Sequence, residues 1–430
     1  MDSNQSDRRR FMKQAAAGVA AGAAGFAAGA QWSSSAKAQP SEKADNGGVR
    51  EVAESDDVGH VHRAPPRRGA RYSLDHMTHY TPLQDYAGII TPAPIHFVQQ
   101  HSSEFPEIDP REHRLTIHGM VDRPLSFSMD DLKRMPSVSR IHFVECHGNS
   151  SPAIHGSKDT KMGLPVQFIH GMASTSEWTG VPLSVLLNEA GVKRGGTWLV
   201  SEGADAGKFS HTLPMGKALD DCFVAYGQNG DPLRVEQGFP IRLLVPGWEG
   251  PFNVKYLRHI KVVDEPYNTW NESMNHSVSR PDLGGKARWY HYQWAAKSVI
   301  TRPSGGMEMR KGFVQITGLA WSGAGKVSKV EVSTDGGRNW REARLDGVIV
   351  PKAHTRFNYD WEWNGQETTI MSRCIDETGD VQPSLAELSA HWQIPIEDWH
   401  KPERPRAIHM NAIQPWKINR DGSINDAMFA

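Results

Sequence analysis

An α+β chain, with a mixed domain first and an all-β domain second, is what three features of this sequence predict. Between Tyr80 and about Asn275, short helical and strand patterns mix without the steady βαβ rhythm of a parallel sheet. From Ala296 to Asp376, strand follows strand at regular spacing. Between them, Thr269 to Arg288 gathers polar residues, Pro281 and Gly284-Gly285, the composition of a boundary. At 430 residues the chain has room for two or three cored domains. A net charge of -1 and a pI near 7.1 imply no basic face, so nucleic acid is not an expected partner.

The N-terminus reads as an address. Asp7-Arg8-Arg9-Arg10-Phe11-Met12-Lys13 fits the twin-arginine export pattern, with an Ala/Gly stretch from Ala15 to Ala30 and a cleavage signal at Ala36-Lys37-Ala38 behind it. The stretch is short and poor in Leu, Ile and Phe, so no membrane anchor is expected. Residues 1–38 are therefore a predicted signal peptide. The twin-arginine route exports folded proteins, which predicts a periplasmic protein loaded with a cofactor before export. Residues 39–80 lack apolar periodicity and read as a flexible lead-in. His60, His62, His76 and His79, in or beside it, read as solvated.

The mixed domain is expected over 81–275. Ile89 to Val98 is extended chain broken by prolines. Leu115 to Gly119 is a strand, and Ser128 is placed to cap a short helix carrying Asp130 and Asp131 in its first turn. Ile141 to Cys146 is an alternating strand that breaks at Gly148-Asn149. Glu177 to Leu183 opens a predicted helix that stops at Gly191. A strand at Trp198–Gly203, a helical turn at Met215–Leu219, a strand at Asp220–Tyr226 and a turn at Gln228-Asn229-Gly230 follow. Gly238–Gly247 holds a buried strand, with further strand character to Val263. No Gly-x-Gly-x-x-Gly follows a strand, which excludes a Rossmann-type dinucleotide domain.

The all-β domain is expected over 286–400, with strands at Ala296–Thr301, Phe313–Trp321, Val327–Ser333, Trp340–Leu345, Phe357–Trp363 and Thr368–Asp376. Turn signals stand at Asp335-Gly336-Gly337 and at Asn364-Gly365, the second suited to a two-residue hairpin. This spacing suits an immunoglobulin-like sandwich. Residues 401–430 read as a tail that wraps over a neighbour or a partner.

Three cysteines, Cys146, Cys222 and Cys374, lie far apart, which argues for neither a zinc pair nor a disulfide framework. Without Cys-x-x-Cys-His the chain cannot attach its own c-type haem, so electrons from any redox work must leave to another protein. Cys146 stands apart because a strand ending in a turn presents its last side chain at the mouth of a sheet. A thiolate there is the softest ligand a protein offers, suited to metals that handle sulfur or redox chemistry. A lone cysteine is more often a small apolar filler.

Cys146-His147-Gly148-Asn149, Tyr226-Gly227-Gln228-Asn229-Gly230, Gly238-Phe239-Pro240-Ile241-Arg242 and Val245-Pro246-Gly247 resemble the cofactor domain of the sulfite oxidase family. Gly318 to Gly323 and Val332 to Gly337 resemble its dimerisation sandwich. Asp220-Asp221, Glu236-Gln237-Gly238 and Ala296 to Thr301 point to its sulfane (sulfite) dehydrogenase branch in thiosulfate-oxidising bacteria. The resemblance implies a sulfite-oxidase-type mixed α/β molybdopterin domain followed by an immunoglobulin-like dimerisation sandwich. It implies that Cys146 binds molybdenum beside one molybdopterin, and that Arg242 and Lys255 hold the pterin phosphate. His101 matches the family's pterin-side histidine, and Gln237 stands where animal and plant relatives place another histidine. His276 stands in the family's active-site tyrosine region, Asn275-His276-Ser277, and reads either as a proton carrier or as a structural histidine. The implied reaction oxidises sulfite or a protein-bound sulfane by oxo transfer, passing electrons singly to a cytochrome c, of which a dihaem subunit is one form. A sulfur-carrier protein and a second copy of the chain are the other implied partners.

The sequence departs from the family where substrate arginines are expected. Gln99 and Gln100 stand at one such place, Ser150 and Ser151 at another. A pocket short of cations favours a less charged sulfur species over free sulfite. Two rivals remain at this level. One is a molybdenum reductase of oxidised sulfur such as methionine sulfoxide, although such reductases resemble the cofactor domain alone. The other is an exported metal-binding protein holding zinc or copper between Cys146 and His142, His147 or His155.

Overall fold

Ser128 shows how directly local chemistry sets the elements. The computed structural model describes residues 62–63, 78–102, 104–150, 163–279, 283–285, 287–399 and 409–429, which all fall in one compact unit, 58–430. The predicted signal peptide and most of the lead-in lie outside them. Strand β1 (Arg114–Gly119) pairs with β2 (Leu125–Ser128), and Ser128 then caps helix α1 (Met129–Arg134). Its hydroxyl accepts from the Asp131 N–H while the Asp131 carboxylate accepts from the Ser128 N–H, a capping box.

Strand β3 (Val138–Glu145) ends one residue before Cys146. Past helix α2 (Val166–His170), β4 (Ala173–Pro182) pairs along the whole of β3. This corrects the helix predicted from Glu177: ten residues here form a strand, and helix α3 (Leu183–Ala190) begins only after Pro182. Tertiary pairing on both edges of β4 overrides the local pattern. Gly191 ends α3 with φ 71, as a left-handed cap requires.

Strands β5 (Trp198–Gly203) and β6 (Ser210–Pro214) form a hairpin, and helix α4 (Met215–Asp220) leads to β7 (Phe223–Gln228). Asn229 and Gly230, at φ 53 and 86, turn the chain into β8 (Asp231–Pro232). Strands β9 (Arg242–Leu244) and β10 (Leu257–Val263) complete the mixed domain. One sheet has the order β8-β7-β4-β3 with β9 beside β7; the other runs β2-β1-β10-β5-β6, with β10 parallel to β1. Helix α5 (Trp270–Met274) lies in the connecting stretch.

The second domain packs two antiparallel sheets. Its strands are β11 (Lys297–Arg302), β12 (Gly312–Trp321), β13 (Val327–Ser333), β14 (Arg341–Glu342), β15 (Arg344–Asp346), β16 (Thr355–Trp363) and β17 (Thr368–Asp376). Helix α6 (Leu385–Trp392) follows, then β18 (Trp416–Ile418) and β19 (Ile424–Asp426). The sheet orders are β11-β12-β16-β15 and β14-β13-β17-β18-β19. Two expectations change. Asn364-Gly365 joins β16 to β17 in different sheets, so it turns a sandwich corner and closes no hairpin. The C-terminal residues do not merely wrap a neighbour: β18 pairs with β17 and extends the sandwich of their own chain. Cys374 is fully buried on β17 as packing, and all three cysteines are free thiols.

The site owes its place to the period of β3. Phe143 packs into the sandwich core, against Trp321 with ring centres 6.5 Å apart, while Val144 joins a separate cluster with Trp178 and Phe223. Alternation sends Glu145 to the sandwich side and Cys146 to the other. Glu145 is wholly buried there, accepting from Lys297 Nζ at 2.7 Å, Trp321 Nε1 at 2.6 Å and Asn149 Nδ2 at 2.8 Å.

Candidate active site

Cys146 is held by its backbone on both sides. Its N–H donates to Met172 O at 2.9 Å, and its carbonyl accepts from the Asn149 N–H at 2.9 Å. The Asn149 side chain closes the turn, donating to Glu145 and accepting from the Met172 N–H at 3.1 Å. Across the site, Gly250 lies so close that a Cβ there would sit 2.8 Å from Glu145 O and 2.9 Å from Cys146 Cα. Burial pushes the Cys146 thiol up to about 11, against the pull of the Gly148 N–H, so it stays protonated until a metal displaces the proton.

A buried cation pair lies beside it. Arg242 donates to the Gln237 backbone O at 3.1 Å, its side-chain Oε1 at 3.3 Å and Asn253 O at 3.2 Å, and lies over Trp178 at 5.1 Å. Its Nε is buried without a partner among the described residues. Lys255 Nζ donates to Gln99 O, Gln100 Oε1 and Glu236 O at 2.8–3.0 Å. These acceptors are all neutral. Burial and then Arg242 push Lys255 down to about 7, while burial lowers Arg242 to about 10. Two like charges held out of water with neutral partners form a site short of an anion. A pterin phosphate supplies that anion, and Cys146 supplies the one soft donor, so the residues fit a molybdenum–molybdopterin group. Gln237 joins this cluster, donating to Phe97 O at 2.8 Å.

Histidines line the other side. His101 is exposed and stacks on Phe209 with ring centres 4.7 Å apart. His276 is buried 6.2 Å from His101 and 5.6 Å from both His147 and His211. Burial, reinforced by the neighbouring histidines, holds His276 well below the ordinary imidazole value. The five residues singled out with Cys146 from the sequence thus fall into two groups on either side of it: Arg242, Lys255 and Gln237, and His101 with His276. Four further residues join them; the sequence offers His147 only as a zinc or copper ligand, and Glu249, His211 and Glu272 not at all. His147 Nδ1 is bonded to Glu249, and His211 Nδ1 faces Glu272 Oε1 at 3.4 Å. His147 was visible inside the Cys-x-Gly-Asn motif, but His211 and Glu272, sixty-one positions apart in the chain, gave no local signal.

The substrate-side departures look different in three dimensions. Gln100 is buried and engaged with Lys255. Ser150 turns towards the sandwich, bonded to Lys297 and His170 at 2.8 Å, and Asn275 faces solvent. A zinc or copper site shared by Cys146 and His142 is not supported, because four residues along a strand separate them by about 13 Å. Among the described residues the group able to share an ion is Glu249, His291 and His409, with ligand atoms within 4.8 Å and no cysteine. His409 Nε2 accepts from the Ala295 N–H at 3.3 Å, which leaves hydrogen on Nδ1, 3.5 Å from Glu249. Imidazole N–H groups facing a buried carboxylate account for that cluster without an ion.

Comparison with known proteins places this geometry. Residues 102–271 match the oxidoreductase molybdopterin binding domain, and residues 288–401 the Mo-co oxidoreductase dimerisation domain. The chain is 30% identical to the sulfite oxidase of Gallus gallus over 335 residues, covering 73% of this chain and 72% of that protein. It is 30% identical to the NADH nitrate reductase of Ulva prolifera over 337 residues, 69% of this chain and 38% of that one. It spans just over half, 57–58%, of the mammalian sulfite oxidases it matches. The crystal structure of the sulfane dehydrogenase SoxCD from Paracoccus pantotrophus superposes with a TM-score of 0.77 at 38% identity, covering 92% of this chain and 95% of that one.

Proposed function

The chain belongs to the sulfite oxidase family of molybdopterin oxidoreductases, and from that premise we propose that it oxidises a reduced sulfur compound in the periplasm, passing the electrons singly to a cytochrome c. The observation that carries the reading is the Arg242–Lys255 pair, buried among neutral acceptors beside Cys146. Arg242 and Lys255 hold the pterin phosphate, one as a fork and one as a point charge, and Cys146 binds the metal. Once bound, molybdenum supplies two-electron oxygen-atom transfer to sulfur and one-electron reoxidation. The balance takes one water per oxygen atom transferred and releases two protons and two electrons each time, so sulfite takes one such round and a sulfane sulfur three.

The chain's own part is to bind, orient and exclude. Trp178 and the neighbouring apolar cluster keep water from the cofactor side, and Gln237 and Gln100 hold the two cations in register. The histidine side, His101 with His147, His211 and His276, receives the substrate. The sequence has Gln99-Gln100 and Ser150-Ser151 at the two places where the family pattern carries substrate arginines, which favours a sulfane on a carrier protein's cysteine over the sulfite dianion. Periplasmic location rests on the twin-arginine pattern of Asp7 to Lys13. The second domain joins two copies of the chain, and a cytochrome c, such as a dihaem subunit, accepts the electrons.

The test is expression in a host that makes molybdopterin, with metal analysis and cytochrome c reduction by sulfite, thiosulfate and a protein-bound sulfane. We expect close to one molybdenum per chain and turnover with at least one reduced sulfur compound. Cys146→Ser should abolish turnover, and a variant that keeps activity would remove the assignment.

A further inference from the structure

The turn that carries Cys146 is held from outside its own domain. Glu145, just before it, accepts from Lys297 Nζ at 2.7 Å and from Trp321 Nε1 at 2.6 Å. Lys297 opens β11, Trp321 closes β12, and the two are partners in the strand register. The same Lys297 Nζ donates to Ser150 Oγ at 2.8 Å, at the other end of the turn. Ser150 stands at φ 67, a left-handed backbone that a non-glycine residue holds only where its surroundings fix it. Its hydroxyl also meets His170 Nδ1 at 2.8 Å, and His170 Nε2 meets Gln414 Oε1 at 3.1 Å, which brings the C-terminal segment into the network. The segment facing Cys146 is tied in the same way. The Glu249 N–H donates to Tyr292 O and the Trp294 N–H to Gly247 O, each at 2.9 Å, and Gly247 packs backbone to backbone on Gly323. Both stretches of chain around Cys146 are therefore anchored on the second domain.

We propose that the second domain is part of the cofactor site, and that Lys297 is a positioning residue that sets where the Cys146 sulfur stands when it binds the metal. The proposal rests on the reading that Cys146 is the metal ligand. A buried ion pair is a poor device for stability, because desolvation offsets most of its attraction. What this one supplies is direction. Lys297 lies over Trp294 and Trp321, 5.7 and 5.6 Å from their ring centres, and is 1% exposed, so its ammonium group has one place to stand. From there it bonds Glu145 on one side of Cys146 and Ser150 on the other, while Asn149 bridges the turn to Glu145 at 2.8 Å. Groups that orient a ligand without touching the metal change its affinity by about 10–100-fold.

The test uses the full chain loaded with cofactor and two readouts besides turnover. One is the rate of molybdenum release to a chelator. The other is the electron paramagnetic resonance spectrum of the one-electron-reduced protein, which follows the placement of the ligand sulfur. Lys297→Met should release molybdenum at least about tenfold faster and show an altered spectrum. Adding Glu145→Gln removes the uncompensated carboxylate and should regain stability, yet neither the release rate nor the spectrum, because the tie to β11 is still missing. Val330→Ala, a cavity elsewhere in the sandwich core, should lower stability and leave the wild-type spectrum in place. If Lys297→Met does not fold, Ser150→Ala cuts the other tie and should alter the spectrum in its stead. A double variant with the wild-type release rate and spectrum, or Ser150→Ala with an unchanged spectrum, would overturn the proposal. So would Val330→Ala with the spectrum of Lys297→Met, since lost stability and not the lost tie would then move the sulfur. A loaded wild type that oxidises no sulfur compound would overturn the proposed function alone, because both readouts report the ligand and not the reaction. A wild type that takes up no molybdenum would overturn both.

Discussion

Lys255 carries its charge into a place where Arg242 already sits, and the two are compensated only when an anion arrives. Lys255→Met should therefore leave the cofactor-free protein no less stable, because a desolvated charge is removed. The loaded protein should lose its cofactor about tenfold faster or more, since one charge-assisted hydrogen bond is gone. Paired melting curves and pterin release rates check both halves. Glu145 behaves in the opposite way, because its partners are already complete. Glu145→Gln leaves Lys297, 1% exposed, without its counter-charge. Breaking a buried pair from one side costs about 3–5 kcal/mol, and denaturant unfolding should show it. Glu145→Gln with Lys297→Met should recover part of the loss.

At the scale of elements, the site depends on how closely the chain segment ending at Gly250 approaches the end of β3. Gly250→Ala places a methyl against Glu145 O and Cys146 Cα. The Glu249 segment must then move away, at about 1–3 kcal/mol, and should carry His147 with it. Metal content and thermal midpoint should both fall, and an unchanged molybdenum content would show that this contact does not shape the site. The same scale shows where sequence patterns hold. Ser128, Gly191 and Asn229-Gly230 act through their own backbone neighbours, so the cap, the helix stop and the tight turn are where the chain places them. Glu177 to Pro182 reads as helix locally but is a strand between two others, and Asn364-Gly365 reads as a hairpin but bridges two sheets. Both depend on partners distant in the chain, which a local pattern does not contain.

The whole molecule carries an unusual load of buried neutral histidines. Burial holds His96, His354 and His409 down to about 3 and His142 to about 4. Their folded-state values lie below the unfolded value near 6.5, so below that pH the unfolded chain binds protons that the folded chain refuses. Stability is therefore full above about pH 6.5 and falls as pH drops towards 4. Each histidine contributes at most about 1.4 kcal/mol per pH unit within that window. Urea midpoints at pH 7.5, 6 and 5 should fall in that order, and a flat profile would contradict this burial. Such a protein suits a neutral compartment better than an acidic one.

The sequence by itself determined the two-part architecture and the strand that leads to Cys146, through short-range signals of alternation and turn residues. Arg242, Lys255, Gln237, His101 and His276 came from the family resemblance of their motifs. Only the tertiary structure decided that Ser150 faces the sandwich, that β18 and β19 complete the second sheet, and that His147 and His211 are each backed by a carboxylate. Those facts rest on contacts between residues far apart in the chain, where direction in space, and not neighbouring sequence, sets which atoms meet.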